Sequence, residues 1–180
     1  MKKDPNQNPH PLYSLFQELI HDSMAEELGR SDEAVVELYL TQLLVEFLHT
    51  DKIFCVRDRF GRRLVTVSDM MGEADVLLNA DSFERERQVH KHIGDFILFW
   101  SGVYPEFLRQ LKLQLGSDLT FDYLKQGRES YYVVSTFEHA PYNLEAPVFR
   151  QLSEDFEAYS ACLRFVRHHL PLHVGSEGSA

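Results

Sequence analysis

Residues 85–108 constrain the fold of this chain more than any other stretch. They contain the most apolar run of the sequence, residues 96–100. A helix from Phe83 to about Ser101 has Ile93 and Ile97 on one face, while bulky aromatic side chains cover much of the remainder. A helix that is apolar on more than one side has to be packed between other elements. The sequence therefore predicts a central helix around which the rest of the chain is packed.

The length and composition are those of one soluble globular domain. The chain has 180 residues, of which 44% are hydrophobic and 26% are charged, as in ordinary domains of this size. The formal net charge of −10, from 28 acidic and 18 basic residues, argues against binding of a phosphate backbone. The longest apolar run is much too short to span a bilayer. We therefore expect neither nucleic acid nor a membrane among the partners.

The cysteines and the N-terminal segment indicate a cytoplasmic location. Cys55 and Cys162 are far apart in the sequence, and both have apolar neighbours, so we expect them to be buried and reduced. Residues 1–11 include two lysines but are followed by no apolar segment of the kind that a signal peptide requires.

The periodicity of the remaining sequence predicts a mainly α fold. We expect about six helices packed around the central apolar helix, with one β-hairpin insertion. The hairpin is predicted at about residues 53–67, where two short runs rich in β-branched residues flank the turn-like residues 58–61. Residues 1–11 are predicted to be a disordered lead-in, residues 12–171 a single helical domain, and residues 172–180 a flexible tail.

The last predicted helix, from about Pro147 to Leu170, carries a regular apolar seam. Its members are spaced alternately by three and four residues: Phe149, Leu152, Phe156, Tyr159, Leu163, Val166 and Leu170. This heptad spacing is typical of a helix that packs along a second helix. The second helix is either another one of the same chain or the same helix of a second subunit, since aromatic residues such as those at mid-seam are enriched in interface cores. A homodimer through the last helix is therefore one of two alternatives.

Asp95 is the sharpest candidate for a site residue. It directly precedes the apolar run of the central helix, where an unpaired carboxylate would be costly. We therefore predict that Asp95 is buried and paired. Its partner is expected to be His92 or an arginine, with these candidates: Arg85, Arg109, Arg128 and Arg150. The carboxylate is either a polar lock between helices or an acid that faces a ligand.

Three further residues of the central helix and one of the next are candidates for a polar network. Glu86 and His90 are four residues apart, so that the carboxylate and the imidazole either form a partly buried pair or serve a metal or a proton transfer. His92 lies roughly on the opposite side of the helix from His90. Glu106 follows Pro105 near the positive end of the following helix.

Two Glu-x-x-His pairs, Glu18 with His21 and Glu46 with His49, have the spacing of ligands in carboxylate-bridged di-iron bundles. The helical projection places them away from the apolar stripes of their helices, which favours solvated surface pairs instead. No phosphate-binding or nucleophile motif is present in the sequence. We therefore expect no metal and no cofactor, and whether the chain is an enzyme stays open.

Several short motifs resemble those of an uncharacterised family of mostly helical bacterial proteins. The resembling residues are His92-Ile-Gly-Asp95, Leu98-Phe99, Ser101-Gly102, Pro105-Glu106, Phe121-Asp122-Tyr123 and Gly127. The resemblance implies a bacterial source and an intracellular location, and it draws attention to Asp95 and Glu106. It implies no activity.

The function that these observations favour is that of a non-enzymatic intracellular interaction or ligand-binding protein. The alternative is a helical metalloprotein or metal-dependent enzyme with Glu and His ligands. The candidate residues for a ligand site or polar network are Glu86, His90, His92, Asp95 and Glu106.

Overall fold

The computed structural model of the chain describes residues 10–29, 33–75, 82–115 and 122–170, and the side chains of the third range up to residue 111. The fold is mainly α, as predicted. The helices are α1 (Tyr13–Leu28), α2 (Ala34–Glu46), α3 (Thr50–Ile53), α4 (Val67–Ala74), α5 (Phe83–Val103), α6 (Pro105–Leu115), α7 (Tyr123–Ser135), α8 (Ala146–Glu154) and α9 (Phe156–His169). The predicted lead-in, except for its last two residues, and the predicted tail lie outside the described residues.

Helix α5 is the centre of the molecule, which confirms the prediction for this segment. The side chains of Phe96, Ile97 and Leu98 are completely buried. The helix packs against α4, α6, α7 and α9. Its start is fixed by Ser82, whose hydroxyl accepts a hydrogen bond of 3.2 Å from the backbone N–H of Arg85, as expected of a serine N-cap.

The predicted β-hairpin at residues 53–67 is wrong. Within the described residues there is no β-strand, and the segment has only an isolated antiparallel bridge between Arg57 and Arg63. The apolar residues Ile53, Val56 and Val67 are buried in the helical core instead of forming one face of a sheet. A two-stranded hairpin is marginal without a third strand or a covering helix, and the described chain offers no strand to pair with it.

The single predicted final helix is divided at Asp155 into α8 and α9. The seam residues from Phe149 to Val166 are all buried. Helix α8 packs chiefly against α7, whereas α9 packs against α5 and α1. The seam is therefore covered within the chain, which is the first of the two alternatives, and none of its side chains between residues 149 and 166 is left exposed for a second subunit.

The described part of the chain holds nine helices, eight of them besides α5, so the predicted number of about six around the central helix is corrected as well. The number is larger because the final helix is divided and because α3 is a single turn that lies where the hairpin was expected to begin. Within the same residues, no helix is both long enough and apolar enough to cross a membrane.

The close packing of α5 on α9 gives a test of this arrangement. A Cβ atom at Gly102 would lie 2.5 Å from Leu163 Cβ and 2.8 Å from the carbonyl oxygen of Ser160, so one of the two helices would have to shift. Gly102→Ala should therefore lower the free energy of unfolding by about 1–3 kcal/mol, measured by urea denaturation.

The matched control is Gly72→Ala in α4, where a Cβ atom would meet nothing within 4 Å. This variant should be neutral or more stable by up to about 1 kcal/mol, because alanine is the better helix former. Equal stability of the two variants would contradict the packing of α5 on α9.

Candidate functional site

A cleft of about 350 Å³ lies between α2, α5 and residues 144–149. We name it the α2–α5 cleft. Its apolar walls are formed by Val35, Leu38, Leu43, Leu144, Val148 and Phe149. Several of these side chains are exposed at the mouth: Val35 by 62%, Leu38 by 46% and Leu144 by 82%. An apolar concavity with a few polar groups at its base is the usual form of a ligand-binding site.

The base of the α2–α5 cleft is formed by Asp95 with three donors around its carboxylate. Tyr131 Oη donates to Asp95 Oδ1 at 2.7 Å, and Tyr39 Oη donates to the same oxygen. Lys91 Nζ donates to Asp95 Oδ2 at 2.8 Å. Asp95 is only 5% exposed, so the prediction that it is buried and paired is confirmed.

The partners that the sequence suggested for Asp95 are wrong. His92 Nε2 donates to the backbone carbonyl of Ile53 at 2.9 Å, on the side of α5 that faces α3. Arg85 pairs with Glu73 and Arg128 with Glu157. The true ionic partner, Lys91, is four residues before Asp95 on the same helix, a spacing at which side chains meet.

The proton-bearing groups around Asp95 hold their protons firmly. Burial raises the pKa of Tyr39 and of Tyr131 well above the ordinary value of 10.0, and the negative charge of Asp95 raises both further. Burial alone would lower the pKa of Lys91, but the charge of Asp95 and its hydrogen bond raise it more, so the pKa of Lys91 lies above 10.5. At neutral pH the lysine is charged and both tyrosines are neutral.

Arg87 holds the second wall of the cleft in place. Its guanidinium carbon lies 3.9 Å from the centroid of the Tyr142 ring, and its NH2 group donates to Glu145 Oε2 at 2.6 Å. The arginine side chain is almost fully buried, whereas Glu145 is largely exposed at the rim. No sequence pattern indicates this role, because Tyr142 and Glu145 are 55 and 58 positions away from Arg87.

Of the five candidate residues, only Asp95 lines the α2–α5 cleft. His90 Nδ1 lies 3.3 Å from Ser130 Oγ on α7, and among the described side chains no hydrogen bond joins His90 to Glu86. Partial burial raises the pKa of Glu86. Glu106 pairs with Arg167 at 3.2 Å. The five residues therefore do not form one polar network.

The two Glu-x-x-His pairs are not brought together. His21 Nδ1 lies 3.0 Å from Glu37 Oε2, and the His49 ring is next to that of His10, at 6.3 Å between centroids. Glu46 instead lies at the rim of the α2–α5 cleft. Within the described residues, no group of three or more His, Cys, Asp and Glu side chains is placed to hold a metal ion.

The two cysteines differ in their exposure to solvent. Cys162 is buried, as predicted, and burial raises the pKa of its thiol to about 11. Cys55 is exposed, so its predicted burial is wrong. Its Sγ lies 3.4 Å from His92 Nδ1, and because His92 Nε2 carries the proton given to Ile53, Nδ1 is the acceptor for the thiol. Neither cysteine belongs to the cleft.

Comparison of the chain with protein-family models, with curated proteins and with solved structures gave no match. The resemblance to a helical bacterial family therefore stays a prediction. What the chain does has to be argued from its own geometry.

Removing the carboxylate at the base of the cleft should be costly for stability. Asp95→Ala leaves two buried tyrosine hydroxyls and an ammonium group without their acceptor, and breaking a buried pair in this way costs about 3–5 kcal/mol. The loss should be at the lower end, because Lys91 is 34% exposed and can be solvated by water. Chemical denaturation monitored by circular dichroism measures it.

A matched control is Glu129→Ala, which removes the acid of another pair spaced by four residues, Lys125 with Glu129. Both of these side chains are largely exposed, so the change should be within about 0.5 kcal/mol. A similarly small loss for Asp95→Ala would contradict a structural role of the carboxylate.

The buried histidines of α5 should make stability depend on pH. Burial lowers the pKa of His90 and of His92 below 6.5, so the native state binds fewer protons than the unfolded chain at mildly acidic pH. The free energy of unfolding should therefore fall as the pH is lowered from about 7.5 to about 5.5. The double variant His90→Gln/His92→Gln should show a flatter dependence.

His21 supplies a control of opposite sign. The hydrogen bond and the charge of Glu37 raise the pKa of His21 above 6.5, so this group adds stability on acidification. His21→Gln should therefore steepen the loss. Stability that rises on acidification in the wild-type protein would show that His90 and His92 do not dominate in this pH range.

Proposed function

We propose that this chain is a non-enzymatic binding protein that receives an apolar ligand, or apolar side chains of a partner, in the α2–α5 cleft. The observation that carries the proposal is the combination of a preformed apolar cleft with exposed Val35, Leu38 and Leu144 at its mouth. Exposed apolar residues clustered around a concavity mark interaction sites far more often than isolated ones do. The Lys91–Asp95 pair at the base would orient a polar group of the ligand.

The groups at the bottom of the α2–α5 cleft support binding over catalysis. General acid–base catalysis needs a group that exchanges a proton near neutral pH. The pKa values of Tyr39, Tyr131 and Lys91 are all raised, and these groups already had pKa values near or above 10. Both oxygens of Asp95 are occupied by these donors. The same groups are well suited to hold a fixed geometry.

An intracellular location is part of the proposal. It is supported by the free thiol of the exposed Cys55, because exposed unpaired cysteines are uncommon in the oxidising compartments where disulfides form.

The cleft can be tested with the neutral apolar dye Nile red, whose fluorescence increases in apolar surroundings. The wild-type protein should bind the dye saturably. Leu38→Gln replaces an apolar residue at the mouth and should weaken dye binding by about threefold to tenfold, in line with the loss of one buried aliphatic side chain.

The control is Leu48→Gln, which changes a leucine just after α2 that lies outside the cleft. The two leucines are equally exposed, at 46% for Leu38 and 45% for Leu48, so neither substitution should change stability by more than about 0.5 kcal/mol. The proposal is wrong if both variants bind Nile red as the wild type does, or if the wild type binds none.

A further inference from the structure

The turn at residues 57–63 is a compact basic feature on an acidic protein. It contains four arginines and one aspartate within seven residues, whereas the whole chain has a net charge of −10. The arginines are exposed along the turn. Arg59 and Arg63 have no ion-pair partner among the described residues, so their charges are available to another molecule. We name this feature the 57–63 turn.

The 57–63 turn is held in one shape by its own hydrogen bonds. Asp58 Oδ1 accepts from the backbone N–H groups of Phe60 and Arg62, each at 2.9 Å. Arg57 NH1 donates to the carbonyl of Gly61 at 2.9 Å. Gly61 has φ +79°, which glycine adopts without strain. A turn fixed in this way loses little conformational entropy when it docks.

An aromatic side chain protrudes from the middle of this basic turn. Phe60 is 70% exposed, and the guanidinium carbons of Arg59 and Arg62 lie 5.0 Å and 5.6 Å from its ring centroid. Phe60 therefore contributes nothing to the core. Aromatic and arginine side chains together are the residue types that interface cores favour.

The α2–α5 cleft is complementary to this turn in both polarity and charge. Its walls are apolar, and its rim carries the carboxylates of Glu46 and Glu145. The positive charge at its base, Lys91, is neutralised by Asp95. Arg87, which pairs with Glu145, is 7% exposed on its side chain, against 58% for the glutamate, so the rim presents mainly negative charge to solvent.

We propose that the 57–63 turn of one copy of this chain docks in the α2–α5 cleft of a second copy. Phe60 enters between the apolar walls, and Arg59 and Arg63 pair with Glu46 and Glu145 at the rim. The inference rests on the proposed function, since it names the partner that the cleft receives. The turn and the cleft are different parts of the surface. If the turn of each copy enters the cleft of the other, the two copies form a closed dimer. If only one of the two contacts can form at a time, the copies add to one another head to tail.

The net charge of the chain favours a second copy over a polyanion as the partner of the 57–63 turn. A nucleic acid attracted by the arginines would be repelled by the surplus of acidic residues elsewhere on the surface. A second copy offers carboxylates at the rim of an apolar cleft, where arginine and phenylalanine are accommodated together.

The test uses two variants that each damage one half of the contact, studied by sedimentation velocity over a range of protein concentrations. Wild-type protein should associate, and more weakly at about 0.5 M than at about 0.05 M salt, because the rim pairs are exposed and screened. Phe60→Ser and Glu46→Lys should each weaken self-association by about tenfold or more. A mixture of the two variants should form a 1:1 complex, because one supplies an intact cleft and the other an intact turn.

The matched control is Phe83→Ser, which removes a phenylalanine of the same 70% exposure from the start of α5. Its self-association should equal that of the wild type. A wild type that stays monomeric at every concentration and salt overturns the inference, and so does a mixture of Phe60→Ser and Glu46→Lys that forms no complex. Binding of a labelled oligothymidylate that Phe60→Ser abolishes, in a monomeric wild type, would assign the turn to nucleic acid instead.

The two proposals fail separately. Saturable Nile red binding that Leu38→Gln weakens, in a protein that never self-associates, leaves the cleft as a ligand site and removes the second copy as its occupant. Self-association that Phe60→Ser abolishes but Glu46→Lys and Leu38→Gln leave unchanged would overturn the cleft as the receiving surface.

Discussion

The buried carboxylate of Asp95 is the constraint on which the arrangement of the helices around the cleft depends. Its donors come from three helices: Tyr39 from α2, Lys91 from α5 itself and Tyr131 from α7. Removing a carboxylate from water costs several kcal/mol, and each hydrogen bond to a charged group stabilises the folded state by about 1.5–3 kcal/mol. The two contributions are of similar size, so the network contributes geometry more than net stability. It fixes the distance and rotation of α2 and α7 relative to α5.

The cleft is a consequence of that fixed geometry. Helix α2 packs chiefly against α1, and Tyr39 joins it to α5 through the carboxylate of Asp95. Phe149 of α8 packs edge-on against Tyr39, at 5.3 Å between ring centroids, and tilted against Tyr131, at 5.7 Å. Tyr39 and Phe149 therefore line the cleft and also pack on the core. A movement of α2 relative to α5 would break the hydrogen bond that Tyr39 donates to Asp95, so the network opposes closure of the cleft.

The sequence predicted the helices and the burial of Asp95, but not the hydrogen-bond partners that Asp95 has on other helices. The 3.6-residue period located α5 and showed that a carboxylate before an apolar run must be buried, and Lys91 was available from its spacing of four residues. Tyr39 and Tyr131 lie 56 and 36 residues away from Asp95, and no periodicity encodes which distant hydroxyl reaches a carboxylate. The hairpin was mispredicted for a related reason, because β-propensity measures fit to a neighbouring strand. The break at Asp155 was hidden because the seam residues on both sides of it stay buried.

A cleft whose shape is fixed by contacts within the chain has a thermodynamic meaning. Its apolar walls remain partly exposed, which opposes stability, and Arg87 is buried against Tyr142 and Glu145 to keep the second wall in position. A partner that fills the cleft gains the burial of those walls without having to rearrange α2 or α8. Because folding has already ordered the site, a partner that binds there does not have to order it. Little of the free energy of the new contacts is then lost to conformational entropy. The polar base and the exposed apolar rim of the cleft therefore support the proposed binding of a partner.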